Sequence, residues 1–243
     1  MSKKICILTN NEDNIFTLPL LNFLFSKLND KSYSIIFLKG FNSYERTLKT
    51  ILSLSFFDIL KILILKIKYL FTNNNINNFP NKIYFFNNIN SIECSDFIFK
   101  EKFDLIVALN CPQIISKNTL NKIKSTFVNF HPGELPKYRG MFTVFYALLN
   151  KEKFITLSFH IIDNGIDTGR VLNKIDYSIE KKDTLFSLYK KLYLSNKSKS
   201  FIIDCITNFD LIKNNKINTK TLNNYYSFPK IFDILKFKLR IFF

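Results

Sequence analysis

Two kinds of segment alternate along the first half of the chain. Continuous apolar runs occur at residues 4–9 (KICILT), 33–38 (YSIIFL), 82–86 (KIYFF), 104–109 (DLIVAL) and 126–130 (TFVNF). Between them lie stretches of helical periodicity at 16–28, 51–71, 94–101 and 118–124, with an Asn-rich loop at 72–81. Runs that are apolar at every position suit strands covered on both faces. Such strands alternating with helices predict an α/β fold with a mostly parallel sheet flanked by helices. Residues 154–162 read differently: Ile155, Leu157, Phe159 and Ile161 alternate with Thr156, Ser158 and His160, the period of a two-faced strand.

Just before that strand, Leu135-Pro136 breaks the chain. Arg139-Gly140 is expected to open a helix in which Met141, Val144, Phe145 and Leu148 recur at helical spacing. Beyond residue 180 the pattern turns helical. Asp183 is placed to cap a helix running to about Phe209, with Leu185, Leu188 and Leu192 on one face. A polar stretch at 213–224 and a basic amphipathic helix ending at Phe243 follow. The expected organisation is a core at 1–180 and a short, mostly helical extension at 181–243. No internal repeat is visible.

Composition narrows the class. Apolar residues make up 47% of the 243 and aromatics 16%, enough for a packed core and against a disordered chain. The formal charge is +16, but the basic residues are spread out with no run of five. That favours a solvated surface that steers an anionic ligand over a nucleic-acid groove. Cys6, Cys94, Cys111 and Cys205 are far apart and form no CxxC, so no metal site is expected. Four apolar residues after Lys3-Lys4 are too few for a signal-peptide core, which points to the cytoplasm. Residues 51–71 are apolar enough to suggest a membrane span. However, Asp58, Lys61, Lys66 and Lys68 are costly in hydrocarbon and leave instead an amphipathic helix with a wide face to bury. That face and the last fifteen residues suggest subunit contacts in a homodimer; neither nucleic acid nor membrane is the expected partner.

The candidate chemistry is concentrated. Both histidines and four of the five glycines fall between residues 129 and 169. In open α/β sheets ligands lie outside the carboxyl ends of the strands, where Asn129 and His131 sit. Two residues apart on an extended segment, they project to the same side, and an amide beside an imidazole can donate to one developing oxyanion. Asp167, in a glycine-flanked loop, is a carboxylate able to position a protonated imidazole or relay a proton. His160 reads as a supporting residue.

With no convincing Ser or Cys nucleophile, this set suits transfer of an acyl group to an amine without a covalent enzyme intermediate. Taken singly, a strand-end Asn-x-His is more often structural, and DNGIDTG more often a plain turn. A calcium loop starting at Asp163 would need Glu at its twelfth position, where Lys174 stands. Neither GxxxxGK[ST] nor GxGxxG occurs.

In order and spacing, Asn129-x-His131-Pro132-Gly133-x-Leu135-Pro136-x-Tyr138-Arg139-Gly140, followed by His160 and by Asp167 seven positions later, resembles the 10-formyltetrahydrofolate-dependent formyltransferases. The resemblance covers roughly residues 1–180. It implies a Rossmann-like formyltransferase core with Asn129, His131 and Asp167 as the catalytic trio and N10-formyltetrahydrofolate as co-substrate. The pterin would be held by Pro112, Gln113, Ile114 and Ile115, and by the loop of Asp163, Asn164, Gly165 and Ile166.

Within the family, glycinamide ribonucleotide enzymes carry a glycine-rich phosphate loop after the first strand, whereas residues 9–14 here contain no glycine and two acids. Methionyl-tRNA enzymes add a C-terminal β-barrel, whereas the residues after the core here read as helical. The chain is most similar to sugar-nucleotide N-formyltransferases. That implies an acceptor such as a dTDP-4-amino-4,6-dideoxyhexose, for O-antigen or another surface glycan, with a methionyl-tRNA formyltransferase-like enzyme as the alternative. Arg139, Tyr225 and Tyr226 are the expected acceptor contacts.

Overall fold

A computed structural model of the chain describes residues 3–10, 15–28, 33–40, 44–71, 79, 82–217 and 224–241. Residues 11–14 of the loop after the first strand, most of the Asn-rich loop at 72–81, residues 218–223 and the last two residues lie outside the described set.

Seven strands form one sheet in the order β3 (Ile83–Phe86), β2 (Tyr33–Leu38), β1 (Ile5–Asn10), β4 (Leu105–Leu109), β5 (Thr126–His131), β7 (Phe154–Ile161) and β8 (Val171–Ser178). The first five are mutually parallel, while β7 runs antiparallel to both β5 and β8. The mostly parallel α/β fold read from the sequence is thus present, with an antiparallel edge. The continuous apolar runs are covered on both sides because alternate residues enter different cores. Ile5 and Ile7 join a cluster with Val107, Val128 and Phe130; Cys6 and Leu8 join another with Ile106, Phe127 and Ile98. Helix α1 (Thr17–Lys27) covers the first side, and α4 (Ile92–Glu101) and α5 (Lys117–Lys122) cover the second.

Several boundaries differ from the periodic pattern. The segment at 51–71 is two helices, α2 (Tyr44–Ser53) and α3 (Phe56–Phe71). The break comes where Ser55 Oγ accepts the Asp58 amide at 3.0 Å and starts a new N-terminus. Arg139-Gly140 does not open a helix: it is the short strand β6 (Arg139–Gly140), paired parallel with β9 (Tyr225–Tyr226). Helix α6 (Thr143–Leu149) begins only after it. Strand β8 was not anticipated, because Val171–Ser178 has buried residues only at its start and no clean alternation.

Thr184, not Asp183, caps the next helix, its side chain accepting the Ser187 amide. Ser195 then divides the expected single helix into α7 (Leu185–Leu194) and α8 (Asn196–Thr207), with α9 (Phe209–Ile212) beyond. Leu185, Leu188, Leu192, Ile202 and Ile206 enter the same core as β1, β4 and β5. Helix α10 (Ile231–Ile241) ends the described chain.

Candidate active site

The carboxyl end of β5 carries Asn129 and His131, and pairing with β7 sets Asn129 opposite His160. The polar side of β7 does not face solvent. Thr156, Ser158 and His160 are all buried, and each is satisfied. Thr156 donates to Asp176, and Ser158 donates to the Gly133 carbonyl at 2.7 Å, tying the 132–135 turn to the sheet. Thr143 Oγ1 donates to the Pro132 carbonyl from the other side. Gly133 is needed because a Cβ there would lie 2.6 Å from the Tyr138 carbonyl and 2.7 Å from His131 Nε2.

His160 Nδ1 lies 2.7 Å from the Ile161 carbonyl, a contact only an N–H can make favourably. In the neutral ring Nε2 is therefore the acceptor, and the Asn129 amide donates to it at 3.2 Å. His131 Nε2 lies 2.7 Å from the Tyr138 carbonyl, so its proton is on Nε2 and Nδ1 is free of hydrogen in the neutral form. Asp167 lies between the two rings. One oxygen is 3.5 Å from His131 Nδ1, the other 3.5 Å from His160 Nε2, and Gly140 N–H donates to the first at 2.9 Å.

Asp167 has a backbone φ of 51°, a left-handed conformation that Asp tolerates better than most residues. Its loop is closed by Asp163, whose Oδ1 accepts Gly165 N–H and Thr168 Oγ1–H. Burial alone would raise the pKa of Asp167. The His131 imidazole, the hydrogen bond and charge of His160, and Gly140 N–H outweigh it and hold the carboxyl well below the usual carboxylate range. Burial lowers the His131 pKa below its ordinary 6.5, with His160 acting in the same direction and Asp167 and the Tyr138 carbonyl opposing. At neutral pH the site thus holds an ionised carboxylate against the unprotonated nitrogen of a neutral imidazole. A proton arriving at Nδ1 would turn that contact into an ion pair, which offsets part of the cost of charging a buried imidazole.

These groups line a cavity of about 370 Å³. Of the expected residues it includes Asn129, His131, His160, Asp167, Pro112, Gln113, Ile114, Ile115, Asp163, Gly165, Ile166 and Tyr225. The Gln113 side chain is spent on the scaffold. It accepts from Ile89 N–H and donates to the carbonyls of Lys39 and Asn87, stitching the ends of β2 and β3 to the segment after β4. Three expected residues stand outside the lining. Asn164 is an exposed position of its loop. Arg139 is turned to the tail, donating from Nε to the Asn224 carbonyl. Tyr226 stacks on Tyr138 at 5.2 Å and packs tilted against Tyr146 at 4.5 Å, docking the tail and leaving its neighbour Tyr225 at the cavity.

Sequence reasoning missed Asn110, Met141, Phe142, Tyr189 and Tyr193 on the cavity wall. Asn110 is a strand-end Asn at positive φ, a signal that was available. Tyr189 and Tyr193 are an i, i+4 pair on α7, and nothing local distinguishes them from core aromatics. Ile114 and Met141 are partly exposed at the wall and, with Phe142, offer flat apolar surface for a ring, while the polar groups gather at the strand ends. This donor set suits a folate-like co-substrate: an apolar slot with Asn129, His131 and Asp167 at its inner end. Among the described residues no cluster of His, Cys, Asp and Glu could hold a metal ion.

Known proteins resemble this chain in sequence and in fold. The sequence model of the family described as formyl transferase matches residues 76–203. Among curated relatives, the bifunctional polymyxin resistance protein ArnA of Wigglesworthia glossinidia brevipalpis is 34% identical over 139 residues, 52% of this chain and 21% of that protein. A methionyl-tRNA formyltransferase of Finegoldia magna is 36% identical over 44% of this chain and 34% of its own length. A GDP-perosamine N-formyltransferase of Brucella melitensis is 35% identical over 36% of this chain and 34% of its own. The matched stretch thus spans only about a fifth to a third of these relatives.

Solved structures extend the likeness of fold. A sugar N-formyltransferase from Shewanella superposes with a TM-score of 0.62 at 18% identity, over 97% of this chain and 87% of that one. An N-formyltransferase from Helicobacter canadensis, in complex with folinic acid and dTDP-3-aminofucose, gives 0.62 at 19% identity, over 100% of this chain and 81% of its own.

Proposed function

The chain belongs to the formyl transferase family, and on that premise we propose that it moves a formyl group from N10-formyltetrahydrofolate to the amine of a nucleotide-linked amino sugar. The observation that carries the chemistry is Asp167 held between His131 and His160, beside Asn129, at the inner end of one cavity. The folate co-substrate supplies the electrophilic formyl carbon; its ring is assigned to Pro112–Ile115 and the Asp163–Asp167 loop. Asn129 donates an amide hydrogen to the charge that develops on the formyl oxygen. The proton lost by the attacking amine passes to His131 Nδ1, where Asp167 stabilises the resulting imidazolium; as the formyl C–N10 bond breaks, that proton is returned to N10 of the departing tetrahydrofolate. This divides the roles differently from two side-by-side oxyanion donors, because His131 Nε2–H is already given to the Tyr138 carbonyl.

The acceptor is read from the remaining aromatic lining. Tyr189, Tyr193 and Tyr225 give the cavity aromatic surfaces on which a base or sugar ring can pack. The GDP-perosamine relative supports an amino-sugar acceptor. A dTDP-linked sugar and a role in surface glycan synthesis are the narrower reading, set in the cytoplasm where folate and nucleotide sugars are made. The second reading, a tRNA-bound amine, is favoured by the net charge of +16 and by the Finegoldia relative.

The test is incubation with formyltetrahydrofolate and a panel of dTDP-, GDP- and UDP-linked amino sugars, followed by mass spectrometry. Gain of one formyl group on a nucleotide sugar is expected. Transfer to aminoacylated initiator tRNA alone, with affinity falling steeply as salt rises, would overturn the assignment.

A further inference from the structure

Three helices turn apolar side chains outward. Helix α3 is fixed at its start, where the buried Asp58 accepts Thr184 Oγ1–H at 2.7 Å. Beyond that point no described side chain through Lys68 is buried. Phe57, Leu60, Ile64 and Ile67 are all exposed, and their spacing of three, four and three puts them on one stripe. On α10, Phe232, Leu235 and Leu239 repeat that spacing on the side away from the buried Ile234 and Phe237. Helix α2 adds Leu48 and Ile51. The three lie together: α2 packs on α10, Lys238 Nζ donates to the Leu54 carbonyl between α2 and α3, and Arg46 lies 5.2 Å over the Phe228 ring. A helix this apolar gains little stability from propensity alone, and apolar surface on this scale marks a contact site.

Charge identifies what covers it. Residues 44–71 carry five basic groups against two acidic, and residues 230–241 four against one. All three carboxylates are engaged: Glu45 with Lys49, Asp58 with Thr184, and Asp233 with the Lys230 amide. A second copy, the occupant suggested by the sequence, would bring together two faces that each carry nine basic groups against three acidic. Anionic headgroups supply the missing charge, and lysines beside an apolar stripe can extend toward them while the stripe meets the acyl boundary.

No described helix is long and apolar enough to cross a membrane. The charges that rule out a span are compatible with a helix lying in the interface. We propose that the α2–α3–α10 face docks this protein on an anionic lipid surface, with Lys61 and Lys236 among the headgroups. The docking is independent of which acceptor the enzyme takes.

The test is co-sedimentation of the full chain with vesicles of phosphatidylcholine alone and of phosphatidylcholine containing phosphatidylglycerol. Pelleting with the anionic vesicles only is expected. Lys61→Ala with Lys236→Ala should weaken partition on the order of twentyfold at low salt, about fivefold for each lysine. Leu60→Ser with Ile64→Ser should abolish pelleting while leaving the circular dichroism spectrum unchanged. Three outcomes would overturn the proposal. One is no pelleting with either vesicle; another is pelleting that neither double variant alters. The third is a lipid-free light-scattering mass of two chains that Leu60→Ser with Ile64→Ser reduces to one, without lipid binding.

Discussion

At the residue scale, the site depends on two groups shifted in the same direction by different causes. Asp167 is held low because two imidazoles, when they carry charge, and a backbone N–H outweigh its burial; His131 is held low because it is buried. For His131 the folded pKa is below 6.5, so the unfolded chain binds the proton more readily. Its contribution to stability is complete above 6.5 and is lost as pH falls below that value. For Asp167, also depressed, the contribution is present above the ordinary 3.8 and is lost at still lower pH. Urea unfolding at a series of pH values should show stability declining as pH falls from 6.5. His131→Asn should flatten the upper part of that decline and, because His131 is the largest influence depressing Asp167, shrink the part below pH 4 as well. The same geometry predicts that Asp167→Asn lowers kcat by about 10²–10⁴ with the fold retained; full activity would remove Asp167 from the mechanism. The sequence made the identities of Asn129, His131 and Asp167 legible, but not which nitrogen of His131 holds the proton, because that depends on the Tyr138 carbonyl.

At the scale of elements, the two-residue ladder between β6 and β9 joins the tail to the chemistry. Gly140 uses its N–H on Asp167, and it has a φ of 92° with the Tyr226 carbonyl so close that any Cβ would strike it. Gly140→Ala should therefore displace β9, move Tyr225 from the cavity and loosen Asp167. Loss of one hydrogen bond to a charged group costs about 1.5–3 kcal/mol, so steady-state kinetics should show kcat/KM lower by roughly ten- to a hundredfold. Wild-type kinetics would mean that the tail is not coupled to Asp167. Periodicity led to the wrong element here because Met141, Val144, Phe145 and Leu148 are helically spaced, yet the chain must first extend to meet a partner strand more than eighty residues away. In the same way, Ser55 and Ser195 end helices through local caps that an apolar count passes over.

At the scale of the whole molecule, one buried cluster takes side chains from both sides of residue 180. Leu188 and Leu192 of α7 share a cluster with Ile7, Val128 and Phe130. Leu188→Ala, at a fully buried position, should cost about 2–5 kcal/mol. We propose that core and extension unfold together, so thermal or urea melts of the variant should shift as a single transition. Two separate transitions would instead mark 181–243 as an independent unit. The same cluster explains how Tyr189 and Tyr193 reach the cavity: α7 is anchored by its leucines on one side and presents its tyrosines beside them.

The sequence by itself determined which segments could be buried strands, where the strand-end Asn and His stand, and which glycines and aspartate form the neighbouring loop. Those are properties of side-chain period and residue identity, set within a few positions of the chain. Only the tertiary structure decided that Asp167 lies between two histidines, that Tyr226 docks while Tyr225 lines the cavity, and that apolar side chains of α2, α3 and α10 are exposed among the described residues. Periodicity reports what a segment is able to bury, whereas the group that buries it comes from chain far away in sequence.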